Sequence, residues 1–485
     1  MNAFDYFFEN TSENDNLFLV GKENVSFRQL FQSSLQLAAY LKKEYGENKN
    51  ILILSVNNLF FLTAYFAIIK SGNVCIPLDP NIEKGNFAFI SDLTKPVLVF
   101  TTNDLVQKLS IESSNCILPD NIRNFQEEWN NPDNSDFDKN RCAEIIFTSG
   151  STGIPKGVMI SHKNLIANTE SILKYLKLTS SDRILVVLPF YYCYGLSLLH
   201  THLRVGGSIV LNNSFIFLGT VISNLLDYKC TGFAGVPSHF QILLRKSDNF
   251  RNTNFPDLRY VTQAGGKLAT IFIDEFRSSF PYIKFYVMYG QTEATARLSY
   301  LPPELYEKKR GSMGKGIPDV ELKVVNEKGK PIKPGEIGEV IAKGDNIMIG
   351  YYADEEGTKN VIRNGWLYTG DLGTVDEDGY IYLTARKKEI IKVGGKRISP
   401  KEIEAVILEI PEVVDCTIEG VEDELLGEAL KAILVIKSDN GREAIVEKIK
   451  QHCSQKLALY KVPQLFEIKE QLVIAATGKK VKGKL

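Results

Sequence analysis

The chain has 485 residues, 44% hydrophobic and 24% charged, with a formal net charge of -1. Length and composition specify about two to four globular units with sizeable cores. The near-neutral balance excludes nucleic acid as the main partner, because phosphate-backbone binders carry a basic excess, but leaves room for small anions held by a local cluster of donors.

The N-terminal stretch MNAFDYFFENTSENDN is acidic and lacks the basic region of a secretory signal. The most apolar run, Leu59 to Ile69, is interrupted by Thr63 and is too short for a membrane span. A cytoplasmic location is the resulting expectation. Short apolar runs of strand length follow: 51–56, 74–78, 96–100, 144–147, 183–188, 208–211, 231–236, 259–263 and 284–288. Helix-length segments at 58–70, 162–175, 238–246 and 268–279 separate many of them. Alternating strands and helices predict an α/β fold of layered, largely parallel sheets. The polar stretch 120–141 reads as a surface connection. After Glu321 apolar and polar residues alternate around Gly and Pro, which predicts a small antiparallel β subdomain over about 310–387. Helices at 401–408 and 443–457 and strands at 413–419 and 431–436 predict an α+β C-terminal domain over 388–485, leaving 1–387 as the N-terminal domain. The seven cysteines are scattered and odd in number, without a CxxC pair, so reduced and mostly buried thiols are expected.

The densest chemical signal is Thr148-Ser149-Gly150-Ser151-Thr152-Gly153-Ile154-Pro155-Lys156-Gly157. Its glycines let backbone N–H groups converge, and four hydroxyls and a lysine add donors, which is equipment for cradling a polyphosphate. It is not a Walker A loop, since Pro155 stands where that motif needs Gly and no Ser or Thr follows Lys156.

This loop resembles the phosphate loop of the acyl-adenylate-forming enzymes, which include acyl-CoA synthetases, nonribosomal peptide synthetase adenylation domains and luciferases. Further motifs follow in the family's order along essentially the whole chain. Tyr289-Gly290-Gln291-Thr292-Glu293 resembles its aromatic-Gly-x-Thr-Glu motif, and Tyr368-Thr369-Gly370-Asp371 its TGD motif. ARKKEIIK at 385–392, followed by GGKRISPKEIE, resembles its hinge and the opening of its mobile C-terminal domain. Ala476-Thr477-Gly478-Lys479 resembles the segment of its C-terminal catalytic lysine.

The resemblance implies roles for these residues. Thr148, Ser149, Gly150, Ser151, Thr152, Gly153 and Lys156 would hold the ATP phosphates, and Glu293 would bind Mg²⁺, with Thr292 beside the α-phosphate. Asp371 and Arg386 would hold the ribose. Tyr289, Gly290, Gly265 and Gly266 would surround adenine. Lys479 would deliver its ammonium to the reacting carboxylate and α-phosphate, against the simpler reading of a solvated charge in a basic tail. Lys388 would be the hinge, and Gly394 and Gly395 would line the tunnel for the thiol. Tyr191, Tyr192, Val236, Pro237, His239, Gln263 and Ala264 would wall the acyl pocket. Lys267 replaces the proline usual after the glycine pair, and the sequence gives it no role.

Amino-acid-activating relatives carry an Asp where this chain has Tyr191 and Tyr192, and no acidic residue occurs between Pro189 and Gly206. A buried ammonium without a carboxylate is costly, so a non-amino organic acid is expected. The implied activity is ATP-dependent formation of acyl-AMP, then acyl transfer to a thiol, with coenzyme A first and a carrier protein's phosphopantetheine as the alternative. An inactive nucleotide-binding relative is disfavoured by the intact Lys156, Glu293, Asp371, Arg386 and Lys479. An enzyme that stops at the adenylate is disfavoured because no extra segment precedes the hinge.

Overall fold

The computed structural model describes residues 1–122, 125, 127–129, 137–148, 154–423, 427–437, 441–470 and 472. Two large sheets with flanking helices make up the first three hundred residues. In the nine-stranded sheet the strands Leu17–Val20, Ser208–Leu211, Arg183–Val186, Gly232–Gly235, Tyr260–Gln263 and Lys284–Tyr289 lie side by side in that order and run parallel. In the seven-stranded sheet Val74–Leu78, Asn50–Leu54, Leu98–Phe100 and Cys116–Ile117 are parallel neighbours. Cys142–Thr148 continues that sheet in parallel, and Lys156–Ser161 folds back on it antiparallel.

Between the sheets lies Leu59–Lys70, buried on every side except its first residue, which explains why this run is apolar all round. Its Asn58 accepts from the Phe61 N–H and caps the first turn. His162–Leu176 starts with a capping box between Ser161 and Asn164. Of the seven thiols, five are buried and two half-buried, and none is in a disulfide.

The segment read as a surface connection departs from that expectation. Ile122, Phe125 and Trp129 pack against the core, and Lys42 and Lys70 sit over the Trp129 ring at 5.5 and 5.0 Å. Three apolar anchors among many polar residues are too sparse to give a periodic signal.

A five-stranded, wholly antiparallel sheet follows, built from Val320–Val325, Gly338–Gly344, Ile362–Arg363, Trp366–Val375 and Ile381–Arg386. The last sheet joins the hairpin Ile391–Val393 and Lys396–Ile398 to the long strands Val413–Asp423 and Gly427–Ile436, with Leu465–Ile468 parallel at its edge. Helices Pro400–Ile407 and Arg442–Lys456 cover it. One contact ties this unit to the large sheet. Arg245, at the end of helix Pro237–Lys246, inserts a side chain only 2% exposed. It donates to the carbonyls of Leu408 (2.9 Å), Ile410 (3.1 Å) and Val413, and pairs with Glu275 at 2.7 Å. Leu408 caps the end of the helix Pro400–Ile407, so there the guanidinium satisfies a carbonyl that the helix terminus leaves open. None of the described helices is long and apolar enough to cross a membrane.

Candidate active site

Four neighbouring parallel strands of the large sheet end at one edge. Arg183–Val186 leads into Phe190-Tyr191-Tyr192, Gly232–Gly235 into Val236-Pro237, Tyr260–Gln263 into Ala264-Gly265-Gly266, and Lys284–Tyr289 into Gly290. A crevice outside the carboxyl ends of parallel strands is the general ligand position in open α/β sheets. The candidate pocket residues therefore converge although they are spread over a hundred positions.

Contacts at this edge are tight. A Cβ on Gly265, whose φ is +83°, would come within 2.9 Å of Val236 Cγ1 and 3.0 Å of the Tyr192 hydroxyl. Gly290 is equally constrained, since a Cβ there would meet the Ala296 carbonyl oxygen at 1.8 Å. The chain folds back over it through the short 3-10 turn Thr292–Ala294. The Gln263 side chain donates to the carbonyls of Gly266 (2.8 Å) and Ala264 (3.2 Å), so its amide pins the glycine turn. Lys267 acquires a role that the sequence left blank. Its ammonium donates to the Leu383 carbonyl at 2.8 Å, tying the glycine turn to the antiparallel sheet.

The putting together of the nucleotide side is clearest around Asp371, which is 5% exposed. Tyr289 donates to its Oδ2 at 2.6 Å and Arg386 Nε to its Oδ1 at 3.0 Å. Asp371 and Arg386 face each other across adjacent antiparallel strands. Burial, and then the Asp371 carboxylate, hold the Tyr289 phenol well above its ordinary pKa, so it remains a donor. Each carboxylate oxygen keeps a free lone pair for further donors.

Thr292 and Glu293 lie in the turn beyond Gly290. The Thr292 hydroxyl sits 3.5 Å from Cys193 Sγ. Glu293 Oε1 accepts from the Tyr351 hydroxyl at 2.9 Å. The Lys156 ammonium lies 4.8 Å from the Tyr351 ring centre and pairs with Asp354 at 2.7 Å. Tyr351 thus joins Lys156 to the Thr292–Glu293 turn. Burial and the neighbouring Glu293 raise its pKa and keep it protonated. The turn is clamped from outside by residues 346–348: Asn346 donates to the Arg297 carbonyl at 2.8 Å, and the Met348 N–H to the Glu293 carbonyl at 3.0 Å.

Thr148 and Lys156 are register partners across an antiparallel strand pair, whereas a Walker A loop leads from a strand into a helix. Ser149, Gly150, Ser151, Thr152 and Gly153 lie outside the described residues, as does Lys479. Leu472 packs on Val414, Ile433 and Val435 of the C-terminal sheet. Lys388 stands in the turn after Ile381–Arg386, one residue beyond the Lys387 N–H bond to the Gly370 carbonyl at 2.9 Å. Gly394 and Gly395 form the exposed tip of the hairpin 391–398, with φ of 53° and 77°.

Of the candidate acyl-side residues, Tyr192, Val236, His239, Gln263 and Ala264 are buried, and Tyr191 and Pro237 are half-buried. His239 stacks on Phe215 with ring centres 4.1 Å apart, its Nδ1 has no hydrogen-bond partner among the described residues, and burial pushes its pKa down to about 3. Tyr191 hydrogen-bonds Asp79, which reaches it from the other large sheet. A scan for acidic residues along 189–206 cannot detect that carboxylate. Tyr351, Asp354, Asn346 and Asp79 are the site residues that sequence reasoning missed. The run GYYAD at 350–354 carries the first two without a local pattern that marks them.

Residues 7–352 match the family model described as AMP-binding enzyme, and residues 402–479 match that of the AMP-binding enzyme C-terminal domain. The chain is 30% identical to the oxalate–CoA ligase of Arabidopsis thaliana, over 95% of this chain and 92% of that one. It is 29% identical to the 2-succinylbenzoate–CoA ligase of Bacillus licheniformis, over 96% and 95%. Its fold is similar to that of the o-succinylbenzoate CoA synthetase of Bacillus subtilis solved with its acyl-adenylate intermediate. That likeness has a TM-score of 0.85 and 26% identity, covering 100% of this chain and 99% of the other. The same enzyme in complex with ATP and magnesium gives a TM-score of 0.84 over 99% and 98%.

Proposed function

Because the chain belongs to the AMP-binding enzyme family and is an AMP-forming acid–thiol ligase, we propose how its residues divide the two half-reactions and which acid and thiol they take. In the first, a carboxylate oxygen of the acid attacks the α-phosphorus of ATP, the bond to the β-phosphate oxygen breaks, and pyrophosphate leaves. Asp371, aligned by Tyr289 and Arg386, accepts from the ribose hydroxyls. Lys156 exchanges its pairing with Asp354 for the β- and γ-phosphates, joined by the hydroxyls of Thr148, Ser149, Ser151 and Thr152. Thr292 donates to an α-phosphate oxygen, and Lys479 supplies positive charge where the two anions meet.

Glu293 fits a magnesium ion: it is a hard oxygen donor whose Oε1 is fixed by Tyr351, beside the lysine that would face the same phosphates. The ion, when bound, neutralises phosphate charge. In the second half-reaction a thiol sulfur attacks the acyl carbon, the bond to AMP breaks, and the thiol proton goes to solvent. Coenzyme A is the thiol we infer, in keeping with the relatives named as CoA ligases. Rotation about Lys388 would bring Gly394 and Gly395 from their exposed position to the thiol path. The acid we infer lacks an amino group, since the segment 189–206 contains no carboxylate; Asp79, held by Tyr191, is the carboxylate that an amino-acid substrate would have to use.

The observation that carries this reading is the meeting of Asp371, Tyr289, Glu293 and Lys156 at one edge of the large sheet. Its test is acid-dependent exchange of pyrophosphate into ATP over a panel of aliphatic, aryl, hydroxy and amino acids, with AMP release followed with and without coenzyme A. Exchange confined to non-amino acids, with coenzyme A driving turnover, is expected. Preference for an amino acid would reject the substrate reading. Transfer only to a phosphopantetheinylated carrier protein would reject coenzyme A.

A further inference from the structure

Arg297 is 1% exposed, among the largest fully buried side chains, and forms no ion pair among the described residues. Its Nε donates to the Tyr175 hydroxyl at 3.2 Å and one Nη reaches Ser197 Oγ at 3.5 Å, the limit of a hydrogen bond. Its Nη1 is buried with no partner. The guanidinium lies 4.6 Å from the ring centre of Tyr194. Burial holds the Tyr175 and Tyr194 phenols above their ordinary pKa, so neither supplies a counter-charge. A buried cation with an open donor and no anion is costly, and the protein's own described groups do not offset it.

The guanidinium faces a small cavity whose polar lining is Ser197, Thr201, His202, Tyr260 and Thr262, with room for about one water-sized group. The cavity lies directly behind the reaction edge. Arg297 follows the Thr292–Glu293 turn, Tyr194 hydrogen-bonds Thr262 at 2.8 Å, and Thr262 immediately precedes the Gln263-Ala264 wall.

We propose that the Arg297 cavity is an anion-receiving site that takes one small negatively charged group, either an oxygen of a second carboxylate at the far end of the substrate acid or a free halide. The first source rests on the ligase reading above; the second does not. The Ser197 and Thr201 hydroxyls donate to the carbonyls of Tyr194 (2.7 Å) and Ser197 (2.8 Å) and so hold the lining in place, which leaves Arg297 Nη1 as the open donor offered to the anion.

The test uses the full chain exchanged into halide-free gluconate buffer. Thermal melting is followed against sodium bromide, and against glutarate and butyrate in the presence of α,β-methylene-ATP, for wild type, Arg297→Met and Ser197→Ala. Crystals of the wild type soaked in bromide are examined by anomalous diffraction. Expected is a rise of about 2–4 °C in wild type, absent in Arg297→Met, with bromide or with glutarate but not butyrate. The responsive arm identifies the source. If glutarate is the arm, the exchange-rate ratio of glutarate to butyrate falls by roughly tenfold or more in Arg297→Met. No response in wild type together with no anomalous peak beside Arg297 overturns the proposal, as does a response retained in Arg297→Met. Should Arg297→Met not fold, the bromide peak and a weakened response in Ser197→Ala decide. Absence of pyrophosphate exchange with every acid would refute the ligase reading, while the melting and diffraction arms still report on the site.

Discussion

The Tyr351 hydroxyl is the smallest device in the site, and it acts by orienting a carboxylate. Tyr351→Phe keeps the ring beneath Lys156 and removes only the bond to Glu293 Oε1. A ligand's supporting hydrogen bond is commonly worth 10–100-fold, so pyrophosphate exchange should fall by about that factor, with half-saturation shifted to higher magnesium concentration. An unchanged magnesium dependence would remove Tyr351 from the site. Buried histidines set a second residue-scale expectation. Burial lowers His162, His200 and His239 to about 3 and His202 to about 4. Each is neutral in the folded chain while its unfolded counterpart protonates below about 6.5, so stability is full above that pH and is lost as pH falls. Glu144 opposes them: burial raises it to about 7, so its contribution declines as pH rises from 4.5 to 7. Four histidines against one carboxylate leave a net loss of about 4 kcal/mol per pH unit as pH falls from about 6 to about 4.5. Acid unfolding monitored by circular dichroism should therefore be complete above pH 4; a folded chain at pH 4 would contradict the burial of these imidazoles.

At the scale of elements, the candidate edge forms because four neighbouring parallel strands end on one side, two of them, Tyr260–Gln263 and Lys284–Tyr289, running into glycines that permit close approach. Gly290 is the least replaceable of these, since a methyl group there collides with backbone at 1.8 Å and no side chain can move aside. Gly290→Ala should cost about 1–3 kcal/mol or more and displace the Thr292–Glu293 turn, so exchange activity should fall further than the melting temperature suggests. Activity retained alongside a normal melt would show that the turn does not position the reacting groups. Most strand positions were legible because buried parallel strands are short apolar runs. The antiparallel pairing of Lys156–Ser161 with Cys142–Thr148 was not, since Lys156–Ser161 is short and that pairing is a contact between segments.

For the whole molecule, Gln241, which donates to Asp415 at 3.1 Å, and above all Arg245 hold the C-terminal unit where it sits in this structure. A pivot at Lys388 has to break the Arg245 bonds to three carbonyls while keeping Glu275. Arg245→Ala removes a buried cation from its partners, a change worth about 3–5 kcal/mol, and should loosen this arrangement. Limited proteolysis near 387–390 should accelerate, and the balance between the half-reactions should shift. Lys479→Ala supplies the complementary measurement: pyrophosphate exchange should be lost while thioester formation from supplied acyl-adenylate is largely kept. Equal loss of both would refute a division of labour between two domain poses.

The chain's local motifs were enough to announce an adenylate-forming acid ligase because five of them stand in the order of a known family. Taken singly, the glycine- and hydroxyl-rich loop reads as a linker as readily as a phosphate cradle, and the TGD and Thr-Glu segments read as a turn and a surface carboxylate. Asp79, Arg245, Arg297 and Tyr351 carry no such mark, and each resembles an ordinary surface or core residue in its own neighbourhood. Their roles come from partners scores or hundreds of positions away, brought together by sheet order and by a domain interface. Burial then gives these contacts their weight, since an unpaired donor or charge matters only where water cannot reach it.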